Sequence, residues 1–315
     1  MFRKSIIISL SSYKLSLDEK RLLKNYKPWG VILFKRNIKS LTQIRDLTSH
    51  IKDIMNDRFY PIMVDEEGGK VSRFSNIIKT QHFPQKYFGK LFEKDKKLGI
   101  KLYTEYLDFT CKILIESGIN INTIPVLDIL KNHTHNVIGN RSYSKDLKTI
   151  NSLRDICFKT LNKLKIACVS KHIPGHGESK VDTHKKLSVV DSSLKSLSKK
   201  DFKAFNNIQS RFAMTAHIIY NKIDKLNPVT HSKVLIREII RERLGYKGII
   251  ISDDISMNSL KGNLNERAQK AINAGCNLIL YCRGNFKEST KLLRQIDEID
   301  AFTKKKTSEF YNFLR

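Results

Sequence analysis

The 315-residue sequence predicts one α/β domain over residues 1–315, built as a (β/α)8 barrel of the TIM type. Three observations carry this. Eight short apolar runs recur, candidate amphipathic helices separate most of them, and polar or charged residues gather directly after the runs. Strands alternating with helices argue for parallel βαβ units, and eight of each suit a closed barrel better than an open doubly wound sheet. The third observation bears on chemistry, because such barrels keep their active sites at the C-terminal ends of the strands.

The first run, residues 6–10, follows a basic start but is short and lacks a small-residue cleavage site. It therefore reads as a strand rather than a signal peptide. A helix over 16–25 leads to the second run, 30–34, and a helix over 41–56 to the third, 61–64. The interval from 64 to 94 is the longest and is expected to hold an elaborated loop and an extra turn. Helices over 94–117 and 148–163 precede the runs at 119–127 and 166–169. Helices over 199–209, 232–244 and 265–274 precede those at 212–216, 248–251 and 277–281, and a last helix covers 285–297. No linker, repeat or low-complexity stretch divides the chain, which predicts a single domain.

Forty per cent hydrophobic residues suffice for a large core, and no stretch approaches the ~18–20 apolar residues of a membrane span. The five cysteines are scattered and form no Cys-x-x-Cys pair, which predicts reduced thiols, a cytoplasmic location and no metal site. The net charge of +27 is spread over every segment beside abundant Ile and Asn, the pattern of a compositional bias. The densest basic runs, Lys199-Lys200 and Lys304-Lys305-Lys306, lack interleaved aromatics, so no platform for stacking bases is visible. Neither a nucleic-acid nor a membrane partner is expected.

Residues 171–184 read Lys-His-Ile-Pro-Gly-His-Gly-Glu-Ser-Lys-Val-Asp-Thr-His. Two glycines, a proline and three histidines make a poor helix and a poor strand. A basic, histidine-bearing, glycine-hinged loop behind a strand suits groups that must move, and a mobile loop over 171–190 is expected. Asp182 and His184 share a face if the segment is extended. A carboxylate on one ring nitrogen would set the imidazole tautomer and aim the other nitrogen at a substrate. In Gly248-Ile-Ile-Ile-Ser-Asp-Asp-Ile-Ser-Met257, a carboxylate at the end of a β-branched strand and fixed by its neighbours suits a nucleophile. Asp253 or Asp254 reads equally well as the cap of the following helix. In Asp65-Glu-Glu-Gly-Gly-Lys-Val-Ser-Arg73, Asp65 can accept two hydroxyl hydrogens and the paired glycines admit close backbone approach.

The pattern Lys-His-x-Pro-Gly-His-Gly followed by Asp-x-His resembles the signature of glycoside hydrolase family 3, and more narrowly that of its single-domain bacterial β-N-acetylhexosaminidases. The resemblance runs roughly from Leu15 to Arg283 with the motifs in the expected order. It implies Asp253 as nucleophile and Asp182 with His184 as the general acid/base dyad. It implies substrate contacts from Asp65, Arg73, Arg141, Lys171 and His172, with Arg141 lying in Asn136-Val-Ile-Gly-Asn-Arg-Ser-Tyr143. Many members carry a second domain that supplies a glutamate acid, and the length of this chain favours the version whose acid is on the barrel's own loop. Two positions depart from the pattern: Glu66, where the family more often has Gln, and Lys70, where Arg is common. Glu178 and Glu66 are the conventional alternatives for an acid.

The implied activity is retaining release of terminal β-linked N-acetylglucosamine from muropeptide fragments, in peptidoglycan recycling, by a monomer without cofactor or metal. Phosphorolysis is the near rival, since an imidazole acid repels phosphate less than a glutamate would; β-glucosidase activity is another. A basic nucleic-acid-binding protein on a degenerate barrel is the remote one.

Overall fold

A computed structural model describes residues 2–132, 134–182 and 186–315. Among the described residues ten strands form: β1 (Lys4–Ser9), β2 (Pro28–Leu33), β3 (Ile62–Val64), β4 (Ile121–Asn122), β5 (Ala167–Ile173), β6 (Ser188–Val190), β7 (Phe212–Thr215), β8 (Ile218–Tyr220), β9 (Ile249–Asp254) and β10 (Leu278–Tyr281). Eight of them close a parallel barrel in the order β1-β2-β3-β4-β5-β7-β9-β10. Each of the eight lies on one of the apolar runs. β6 and β8, which the sequence reading did not anticipate, pair with each other outside the barrel.

The helices are α1 (Leu17–Tyr26), α2 (Leu41–Met55), α3 (Gln85–Lys94), α4 (Lys96–Glu116), α5 (Leu147–Lys163), α6 (Leu194–Lys199), α7 (Leu264–Ala274), α8 (Phe286–Gln295) and α9 (Ala301–Leu314). Caps set several of the starts. The Ser16 and Asn263 side chains accept from backbone N–H groups of the first turn, and Glu19 and Glu266 return the bond to the cap backbone.

Four local expectations need correction. The run 119–127 is regular strand only at Ile121–Asn122 and pairs with β5 again at the Val126–Lys171 bridge, because Pro125 between them has no N–H for a continuous ladder. The extra turn expected between 64 and 94 is the full helix α3. The helix expected over 199–209 starts earlier, where Ser193 caps α6, and gives way to a 3-10 turn at Asp201–Phe205. The segment Leu235–Arg243 is wound with wider, π-type turns.

Apolar side chains alternate across the barrel wall. Ile6 and Ile8 join the shell between strands and helices, whereas Ile7 joins Ile32, Met63, Ile121, Val169, Met214 and Ile251 inside. At the N-terminal ends of the strands, α9 supplies the floor. Its Phe310 lies 5.4 Å from the Phe212 ring, Phe212 lies 5.5 Å from Trp29, and Trp29 Nε1 donates to Thr307 Oγ1 at 2.9 Å. Sequence reading missed this helix because Lys304, Lys305 and Lys306 obscure its apolar face. The opposite mouth is left open for polar groups. Truncating Phe310 to alanine removes a ring that is fully buried, and should lower the unfolding free energy by about 3–5 kcal/mol in urea titration.

Candidate active site

At the C-terminal ends of the barrel strands lies a cavity of about 610 Å³. Asp65, Arg73, Arg141, Lys171, His172, Asp182 and Asp253 all line it. They come from the segments following β3 and β4, from β5 and the loop after it, and from β9. His184 lies outside the described residues.

The segment after β3 is held from within. Glu66 is buried and accepts the backbone N–H groups of Arg73 (2.7 Å) and Phe74 (2.9 Å) and the hydroxyls of Thr80 (2.6 Å) and Ser72 (3.5 Å). Burial pushes its carboxyl up, and these donors oppose that. Glu66 thus shapes the loop and is absent from the cavity lining, as is expected of a residue that alters local hydrogen bonding. Gly68 has φ of +79°, and a Cβ there would stand 2.3 Å from the Phe83 carbonyl oxygen, so a side chain cannot be accommodated.

Beneath the cavity the charges interlock. Arg141 grips Glu67 with two bonds, Nε to Oε2 at 2.8 Å and Nη2 to Oε1 at 2.9 Å. Lys171 Nζ reaches the same Glu67 at 2.5 Å, Thr123 Oγ1 at 2.7 Å and Asp65 Oδ1 at 3.3 Å. Arg73 closes on Asp65 Oδ2 at 3.1 Å. Burial alone would raise the Glu67 carboxyl, but Arg141 and Lys171 outweigh it and hold it down at about 2. Asp65 is likewise buried, and Lys171 and Arg73 keep it far below the usual carboxylate range. Asp128 accepts the His172 backbone N–H at 3.2 Å and lies 2.6 Å from its Nδ1, leaving Nε2 beside Arg141 at 3.4 Å. Sequence reasoning missed Glu67 and Asp128. Their only signals were a second glutamate beside Asp65 and an acid directly after the fourth run.

At the end of β9 the two adjacent aspartates differ. Asp254 accepts from Ser256 N–H (3.0 Å), Ser256 Oγ (2.6 Å) and Cys282 N–H (3.2 Å), so it closes a turn. Neither aspartate caps a helix, since Asn263 caps α7. Asp253 accepts the Asp254 N–H at 2.8 Å and donates its own N–H to Thr215 Oγ1 at 3.3 Å. His217 spans the same strand ends, 2.7 Å from Thr230 Oγ1 and 3.1 Å from the Asp254 carbonyl oxygen, and burial lowers its pKa.

The loop after β5 begins with hydrogen bonds to its neighbours. Gly175 N–H donates to the His172 carbonyl at 2.8 Å, Tyr220 Oη donates to the Gly175 carbonyl, and Thr134 Oγ1 donates to the Gly177 carbonyl at 2.6 Å. His176 is buried, and desolvation holds its pKa down at about 4. The two glycines permit this by packing closely against neighbouring backbone. Among the described residues, no group of three or more His, Cys, Asp or Glu side chains could hold a metal, and no helix is long and apolar enough to cross a membrane.

The Glu67 network has a pH signature. Glu67 takes up a proton only near pH 2 in the folded chain, against an ordinary value of 4.5. Its ion pairs therefore contribute fully above about 4.5, and the contribution is lost as pH falls through about 2. A Glu67→Gln variant should melt below the parent at neutral pH, and the gap should close toward pH 2. A gap that stays constant over that range in thermal melts would remove Glu67 from this role.

The family description Glycosyl hydrolase family 3 N terminal domain matches residues 5–308. A protein named Beta-hexosaminidase from Bordetella pertussis is 34% identical over 88% of this chain and 80% of its own length. One of the same name from Psychromonas ingrahamii is 34% identical over 88% and 82%. Among solved structures, NagZ from Neisseria gonorrhoeae in complex with N-trifluoroacetyl-D-glucosamine superposes with a TM-score of 0.87. It is 27% identical, with 100% of this chain and 91% of that one covered.

Proposed function

The chain belongs to glycosyl hydrolase family 3 and is a glycoside hydrolase. From that premise we propose that it is a retaining β-N-acetylglucosaminidase, acting on muropeptide fragments in peptidoglycan recycling inside the cytoplasm. The observation that carries this reading is the cavity itself. Asp253 enters it from β9, and the segments after β3 and β4 together with β5 present Asp65, Arg73, Arg141, Lys171 and His172, donors and acceptors suited to the hydroxyls and acetamide of a sugar.

The chemistry has two displacements. The Asp253 carboxylate attacks the anomeric carbon as the bond to the leaving oxygen breaks, and that oxygen takes a proton from His184. A water then gives its proton back to His184 and attacks the same carbon, releasing Asp253 and a sugar of unchanged anomeric configuration. Asp182 holds the imidazole in the tautomer this exchange needs. The buried cations hold Asp65 and Glu67 ionised before substrate arrives, so little reorganisation is required on binding.

Turnover of a chromogenic β-N-acetylglucosaminide beside the matching β-glucoside tests the sugar preference, and repeating it with added phosphate tests hydrolysis against phosphorolysis. The N-acetylglucosaminide should be strongly preferred and the product should be the free sugar. Asp253→Asn should lower kcat by orders of magnitude without changing the melting temperature, and a 5-fluoro glycoside should label Asp253. Labelling at Asp65 or Asp254 would overturn the assignment. Arg141→Ala should cost about 1.5–3 kcal/mol in kcat/KM, and a change within twofold would show that Arg141 does not contact the sugar.

A further inference from the structure

Beside the cavity, three charged side chains from three separate segments form a cluster that the proposed displacements do not use. Lys131, in the segment after β4, pairs with both Glu178 on the glycine-rich loop and Asp201 at the start of the 3-10 turn. Their side chains are 15%, 17% and 1% exposed. An ion pair so shielded from water is not screened as a surface pair is, and it leaves a costly uncompensated charge if one partner goes.

The loop backbone is pressed onto the same place. A Cβ on Gly177 would stand 2.5 Å from Asp201 Oδ1 and 2.2 Å from the Ile129 carbonyl oxygen, so the loop lies directly on both neighbours. Around Lys131 the contacts continue: Thr134 Oγ1 donates to the Gly177 carbonyl at 2.6 Å, and the His135 N–H donates to the Ser179 carbonyl at 2.9 Å. Only four residues beyond Glu178, Asp182 lines the cavity. The path of the chain into the cavity therefore starts from a point fixed by Lys131.

We propose that Lys131 is a positioning residue for acid/base catalysis: by clasping Glu178 to Asp201 it sets where the segment carrying Asp182 departs toward the cavity. The proposal rests on the reading of Asp182 and His184 as the acid/base dyad. It also gives Glu178 a role other than that of a conventional acid, since its carboxylate is engaged by the Lys131 ammonium.

Leaving-group dependence separates positioning from general stability. A misplaced acid harms a substrate whose leaving group needs protonation, and spares one that departs unaided. The test compares kcat/KM for N,N′-diacetylchitobiose and for 2,4-dinitrophenyl β-N-acetylglucosaminide in Lys131→Met, Lys131→Arg, Glu178→Gln and Asp182→Asn. Lys131→Met should lose at least about tenfold more on the disaccharide than on the aryl glycoside, a fraction of the effect a positioned acid supplies. Lys131→Arg, which keeps the charge, should recover most of that difference. Glu178→Gln leaves the Lys131–Asp201 pair in place and should show the same preference to a smaller extent; it carries the test if Lys131→Met does not fold. Matched losses on both substrates, alongside a preferential loss in Asp182→Asn, would overturn the clasp and leave the dyad standing. The absence of any preferential loss in Asp182→Asn would overturn the dyad and the clasp together.

Discussion

The pairing of Glu67 with Arg141 and Lys171 is the constraint on which the site depends. Three charges with side chains 1%, 11% and 3% exposed are removed from water almost completely. Taking any one of them out of solvent alone would cost several kcal/mol, so the three are tolerated only as a set. Because Lys171 also reaches Asp65, and Asp65 also holds Arg73, the set extends across the ends of β3 and β5 and the segment after β4. The same bonds that make the burial tolerable place the polar wall of the cavity. The barrel must close for these strand ends to meet, and α9 packing under Trp29 and Phe212 completes the opposite end of that closure.

Environment divides labour among similar groups. Asp253 and Asp254 are consecutive, yet Asp254 is occupied by Ser256 and the Cys282 N–H, and burial raises its pKa. The buried histidines divide in the same manner. Desolvation lowers the pKa of both His176 and His217, whereas His172 stands against the Asp128 carboxylate. A side chain's chemistry here follows from what packs against it.

The glycine-rich loop combines two requirements. Its first half is tied down by Tyr220, Thr134 and its own turns, and the Lys131 cluster lies where that half ends. Such a loop can deliver a side chain to a cavity from a fixed origin, which a loop free along its whole length would do with a larger loss of conformational entropy.

The barrel strands were legible because a parallel strand covered on both faces must be apolar, so each announces itself as a short apolar run. The site motifs were legible for a related reason: Asp65 to Arg73, Asn136 to Tyr143 and Lys171 to Asp182 are each local in sequence, and local spacing is what a sequence displays. Sequence alone thus determined the alternation of strand and helix, the barrel class and several of the residues that line the cavity at its C-terminal mouth. It did not reveal α9, whose apolar face is interrupted by three lysines and gains meaning only against Trp29 and Phe212. Nor did it distinguish Glu66, turned into its own loop, from Glu67, whose Arg141 partner is 74 positions away. Which of two neighbouring carboxylates faces the cavity, and which state it holds there, was decided by tertiary structure. Burial and charge pairing depend on groups that closure brings together from distant strands, and no local pattern records them.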